Sequence, residues 1–210
     1  MQTAEAEMSW RWSAAMKDAG FRKKLVIGLV LMLCALAALP FFFQQNELRK
    51  GFSIYDPVLA YVSPRDVSIP IFGAIWSATL LMLVRSLRNP RLMLTAVYGF
   101  ALLCLVRMGT ITALPLDPPE GLVPLVDPIS NSFYGKSFIK RDLFFSGHTS
   151  TLCLFFFCFQ RKNDKLFSLL CTIAVGLLVL VQHVHYTVDV LAAPVFTFLC
   201  YKMSKKIVDS

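Results

Sequence analysis

Six apolar stretches close to membrane length run through this chain of 210 residues: Leu25–Phe43, Ile69–Leu87, Leu92–Leu114, Phe144–Phe159, Leu166–Val184 and Thr187–Tyr201. A helix crossing a bilayer needs about 20 apolar residues at a rise of 1.5 Å each. In lipid such a run must satisfy its own backbone, which a helix does. The fourth and sixth stretches are short. The chain is 56% hydrophobic with a mean hydropathy of +0.61, above the roughly 45–50% apolar content of soluble domains. The expected fold is all-α: a polytopic membrane protein with a six-transmembrane-helix bundle as one catalytic domain (25–201). An N-terminal cytoplasmic or interfacial segment (1–24) precedes it, and a basic cytoplasmic tail (202–210) follows.

The net charge of +8 does not point to nucleic acid, because the basic residues partition by loop. Fourteen of the 21 Lys and Arg fall in the N-terminal segment, the second and fourth loops and the tail; six fall in the first and third loops, and Arg107 lies inside a span. The positive-inside rule then puts both termini in the cytoplasm. On this reading the basic excess marks topology and contact with anionic headgroups. The six cysteines all fall within the apolar stretches with no Cys-x-x-Cys pair, as for free packing cysteines. A cleaved signal peptide is not expected, since Glu5, Glu7 and Asp18 precede a long first run. Two readings stand for residues 1–24: an interfacial helix with Trp10 and Trp12 at headgroup level, or a poorly ordered tail with two aromatic anchors. The third outer loop, Pro115 to Asp142, is rich in Pro and Gly. It either roofs a site on the outer face or simply connects.

Alternating spans bring four ionisable residues to one depth in the outer half of the bilayer. Span three exits at Leu114, with Arg107 about 10 Å below that end. Span four enters near His148, and spans five and six meet near His185 and Asp189. Such groups are costly in lipid and usually functional. A histidine four residues before an aspartate is expected to share a helix face with it, so Asp189 would orient His185 and raise its basicity. Ser146-Gly147 just before His148 would leave backbone N–H groups free to hold an anion. Arg107 has a fork suited to phosphate oxygens. Plainer readings sit beside these. Arg107 would be a structural ion pair with Asp189 or Asp142, or would snorkel; Asp189 a helix-start cap near Thr187; His148 a satisfied interfacial histidine. His183 is read as packing or supporting; a three-histidine zinc site is disfavoured by the His183–His185 spacing.

Two segments carry a family resemblance. Asp142-Leu143-Phe144-Phe145-Ser146-Gly147-His148-Thr149 and His185-Tyr186-Thr187-Val188-Asp189 resemble two signature motifs of the sphingomyelin synthase family, in its bacterial branch. That family is related to the type 2 phosphatidic acid phosphatases. Arg107 followed by Leu114-Pro115 resembles the group's third-helix motif. The resemblance implies that His185 is a nucleophile forming a phosphohistidine, with Asp189 behind it, and that His148 acts as acid and then as base. Arg107, Ser146 and Gly147 would hold the phosphate; Asp142, Arg141, Lys140 and Tyr186 would support them. It implies membrane lipids as partners: a glycerophospholipid donor and a ceramide or diacylglycerol acceptor. No cofactor, metal or nucleic acid is implied. The active site would face the periplasmic or luminal side of what would be a bacterial inner membrane.

Lys140-Arg141 stand where family members carry Cys-Gly, adding positive charge at the mouth. The Lys…Arg-Pro motif of the phosphatase relatives is absent, and Val179 replaces their arginine six residues before the second histidine. One arginine suits a singly charged diester better than a phosphomonoester dianion. The leading expectation is therefore head-group transfer between lipids. The alternatives are a phosphatase for phosphatidate-like or isoprenoid phosphates, a non-catalytic lipid binder of scramblase-like type, and a transporter; pseudo-repeats, the usual mark of the last, are not found.

Overall fold

The computed structural model describes residues 12–125 and 139–210. Within them seven helices follow one another: α1 (Trp12–Ala15), α2 (Ala19–Glu47), α3 (Ser68–Ser86), α4 (Pro90–Ala113), α5 (Gly147–Cys158), α6 (Lys162–Val181) and α7 (Thr187–Asp209), with a short 3-10 turn at Leu59–Tyr61. Among the described residues there is no strand, only an isolated bridge between Phe52 and Leu116.

Local chemistry sets the helix starts. Asp18 accepts from the Gly20 amide at 2.8 Å ahead of α2, and Asn89 accepts from the Leu92 amide at 3.1 Å ahead of α4, whose first residue is Pro90. Both are the short polar caps that helix starts favour, and proline suits the first helical position. At the start of α7 the Tyr186 amide donates to Asp189 Oδ2 at 2.9 Å, while the Asp189 amide donates to the Tyr186 carbonyl.

Among the described residues four helices are long and apolar enough to cross a membrane: α2, α3, α4 and α6. They fit a multi-pass membrane protein. The expected six crossings are not matched one for one. The fourth apolar stretch forms a helix of only 12 residues, because Asp142–Ser146 stay non-helical ahead of the Ser146 cap. The sixth becomes α7, which continues through Lys202, Lys205 and Lys206 to Asp209. The expected basic tail is thus the last two turns of a helix, and its lysines dilute the apolar character of the whole.

The main core joins α3 to α7, with Phe145 stacked on Phe196 at 4.6 Å between ring centroids. Helix α2 packs along α4, and α3 packs mainly on α6. The outward faces expose Val30, Leu33, Leu80, Leu177 and Val195, each more than half accessible, as lipid-facing surface is. Five cysteines are buried and Cys34 is exposed on α2; all six are free. Of the N-terminal tryptophans, Trp10 lies outside the described residues, while Trp12 donates its indole N–H to the Ser86 carbonyl at 3.1 Å.

Candidate active site

The non-helical run before α5 and the corner between α6 and α7 meet at one end of the bundle, and the candidate residues meet with them. The Ser146 amide donates to the Asp189 carbonyl at 3.1 Å, tying the two motifs together directly. The rings of His148 and His185 stand 6.2 Å apart, centroid to centroid, inclined at 64°. Both border a cleft of about 590 Å³ that Arg107, Asp142, Lys140 and Gly147 also line. The ring of Phe72, from α3, stands edge-on to His148 at 6.2 Å.

His185 lies before the first residue of α7, so it does not share a helix face with Asp189 as expected. The two still approach, with His185 Nδ1 3.4 Å from Asp189 Oδ2. Capping is the reason. Asp189 turns back to receive the Tyr186 amide, and this carries its carboxylate toward the preceding histidine. Asp189 is thus a helix-start cap, and the capping geometry is what brings its carboxylate near His185. Its Oδ1 is buried without a hydrogen-bond partner. The Asp189 carboxylate faces Nδ1 of His185, which makes no hydrogen bond among the described residues.

Arg107 is buried. Its Nε donates to the Phe145 carbonyl at 2.9 Å, and Nη2 pairs with Asp142. The ion pair with Asp142 does form, yet the guanidinium still borders the cleft. It lies directly against Gly147: a Cβ there would sit 2.6 Å from Cζ and Nη1. Only glycine admits the arginine at this distance.

The expectation of free amides at Ser146-Gly147 needs correction. The Ser146 amide is committed to Asp189, and its hydroxyl accepts from the Thr149 amide at 3.4 Å while sharing a hydrogen bond with Thr149 Oγ1. Ser146 is wholly buried. Its place is to cap α5; what remains for an anion is the first turn of α5 beginning at Gly147, at the positive end of the helix.

The other expected residues separate. Arg141 turns from the cleft, with its guanidinium on Asp117 (Nε to Oδ1, 3.0 Å) and on the Glu47 carbonyl. Lys140 stays at the cleft, its amide held by Glu47 Oε1 at 2.8 Å. Tyr186 is buried, its hydroxyl donating to the Asp117 carbonyl at 3.0 Å. Parts of the third loop border the cleft through Leu122, Leu125 and Ile139, while its middle, with Pro128 and Gly135, lies outside the described residues.

Several supports were invisible in the sequence. Asp56, in a segment read only as loop, accepts from the Thr187 amide at 2.6 Å and the Thr187 hydroxyl at 3.0 Å, holding the start of α7 beside His185. Burial pushes its carboxyl up, but the bonds from Thr187, Leu59 and Val58 outweigh this and place it below the usual carboxylate value. His183 sits at φ 55°, outside the usual range for a residue with a side chain. Its ring reaches the carbonyls of Glu120 and Val62, each at 2.8 Å. Gln182 bonds Ser68, Val67 and the Pro124 carbonyl. The corner thus ties the first and third loops together. An Asp-Pro pair near the start of a loop was the one available signal for Asp56. Among the described residues no three His, Cys, Asp or Glu side chains gather as a metal-ligand set.

A helical membrane bundle with two histidines, a carboxylate and an arginine around one cleft defines a class: enzymes acting on lipid phosphoesters. Residues 141–206 match the family model described as PAP2 superfamily C-terminal, a stretch of about a third of the chain that holds both histidine motifs and nearly all of α5 to α7. The match links this segment to the type 2 phosphatidic acid phosphatase-related superfamily and supports an activity of the lipid phosphatase or phosphotransferase type. No curated protein and no solved structure matches the chain.

Proposed function

We propose that the protein moves a phospho-head group from a glycerophospholipid to a lipid alcohol, ceramide or diacylglycerol, as the sphingomyelin synthases do. The observation that carries this is the pair of imidazoles 6.2 Å apart on one cleft with Arg107. Nε2 of His185 attacks the phosphorus, and the P–O bond to diacylglycerol breaks. His148 gives its proton to the departing oxygen. The acceptor hydroxyl then loses its proton to His148 and attacks the phosphohistidine, breaking the P–N bond and returning His185. Arg107 and the first turn of α5 hold the phosphate oxygens as charge develops on them. Asp189 holds the His185 ring and stabilises its positive charge. Six crossings with cytoplasmic termini would open the cleft to the outer leaflet of a bacterial inner membrane; the loop charges and the resemblance support this placement.

Purified protein is incubated with labelled phospholipid and either ceramide or diacylglycerol. Transfer by wild type and none by His185→Ala is expected; equal activity or equal inertness sinks the assignment. The second reading, favoured by the superfamily match, has water as acceptor and phosphatidate-like or isoprenoid phosphates as substrates. Release of inorganic phosphate without an acceptor lipid distinguishes it.

A further inference from the structure

The cleft continues away from the histidines as an apolar groove between α2, α3 and α4. On α4 its lining runs from Arg107 to Met93, on α3 from Phe72 to Ser86, and on α2 from Phe43 to Leu29. Each stretch covers fourteen residue steps (107 less 93, 86 less 72, 43 less 29). At 1.5 Å per residue that is about 21 Å. One leaflet of a roughly 30 Å hydrocarbon core is about 15 Å deep, so the groove is deeper than a leaflet. Every charged lining residue is at the histidine end, and none lines the groove below Arg107.

At the far end the lining comes down to Met82, Ser86 and Met93. Ser86 is buried, its hydroxyl donates to Met82 Sδ at 3.7 Å, and its carbonyl receives the Trp12 indole. One side is open: α2 packs on α4 and α3 on α6, and no comparable packing joins α2 to α3. The volume of about 590 Å³ lies within the roughly 300–1,000 Å³ of sites for one small ligand.

We propose that this groove takes one extended hydrocarbon tail of an anionic lipid phosphoester, and that its floor at Met82, Ser86 and Met93 limits the tail length accepted. The inference rests on the phosphoester reading of the site. Charge complementarity sets the orientation, with the head at Arg107 and Lys140 and the tail end at the floor. Any second tail lies between α2 and α3, in the bilayer. Selection by length follows, because each methylene buried is worth about three- to fourfold in affinity until the floor is reached.

The test uses lipid phosphoesters with one head group and a series of tail lengths. In wild type, kcat/KM is expected to rise with length and level off once the extended tail reaches about 21 Å. Ala96 lines the groove eleven steps below Arg107, about 16 Å along it. Ala96→Trp is expected to lower the ratio of kcat/KM for the longest tail to that for the shortest by about tenfold or more. The ratio compares substrates on one enzyme, so a misfolded fraction does not distort it; Thr79→Phe on the facing helix serves if Ala96→Trp does not fold. Displacement binding of non-hydrolysable alkyl phosphonates of the same lengths reads the groove without turnover. No length dependence, or the same cut-off in wild type and variants, overturns the proposal. Phosphonates bound with the expected length cut-off but no phosphoester turned over overturns the catalytic reading instead.

Discussion

Each end of the bundle carries an arginine–aspartate pair, and the two are built for different ends. Arg85 on α3 meets Asp164 on α6 through two bonds, Nε to Oδ2 at 2.7 Å and Nη2 to Oδ1 at 2.9 Å. Both carboxylate oxygens and the arginine fork are engaged, the bidentate geometry such pairs favour. Arg107 meets Asp142 through Nη2 alone and places Nε on a backbone carbonyl. Its remaining donors border the large cleft, beneath a glycine that lets them approach. One pair satisfies itself and fastens two helices. The other leaves donors over for a ligand. The difference between the two pairs is one of completeness.

The comparison breaks or sharpens in five ways. The largest effect belongs to the histidine end: His185→Ala should lower kcat by at least roughly 10³-fold, as loss of a nucleophile does, read by head-group transfer or phosphate release. Gly147→Ala comes next. Its Cβ would meet the Arg107 guanidinium at 2.6 Å, so the arginine must move, and kcat/KM should fall about 10²-fold, the scale of losing one preorganised donor. Arg107→Lys should fall comparably because the fork is lost. If Gly147→Ala is fully active, the guanidinium does not serve the reaction.

At the other end, Arg85→Ala should leave kcat unchanged and lower stability. Breaking a buried pair costs about 3–5 kcal/mol. The Arg85 side chain is 26% accessible, so exposure reduces this to about 1–2 kcal/mol, read as a lower Tm in detergent. A loss of activity as large as that of Gly147→Ala would erase the distinction between the two pairs. The smallest effect is at Asp56. Its carboxyl lies below the usual value when folded, so its stabilising contribution is present above the ordinary carboxylate range. That contribution is lost as pH falls through the depressed value. Wild type should lose Tm on acidification through that window, and Asp56→Asn should lose less. Parallel curves would remove Asp56 as the anchor of α7.

Much of the site was legible because its residues carry unusual chemistry in lipid. Two histidines, an arginine and an aspartate stand out against apolar runs, and the expected alternation of spans puts them at one depth without knowledge of packing. Their support was not legible. Asp56 and Gln182 look like ordinary loop and helix-end residues, and their partners lie far along the chain. The six apolar stretches are not matched one for one by long helices, for a local reason at the fourth: Phe144 and Phe145 extend an apolar run that the backbone leaves non-helical ahead of the Ser146 cap.

Composition and the length of the apolar runs alone pointed to a helical chain for a lipid environment, and residue type alone singled out His148, His185, Asp189 and Arg107. Hydropathy and charge are properties of each residue, so they survive without coordinates. The tertiary structure decided which donors remain for a ligand. It gave the Ser146 amide to Asp189, bent Asp189 back to its cap and so toward His185, set Arg107 under Gly147, and left α2 and α3 apart beside a groove. Each of these depends on which distant backbone group arrives within about 3 Å, and no pattern along the chain encodes that distance.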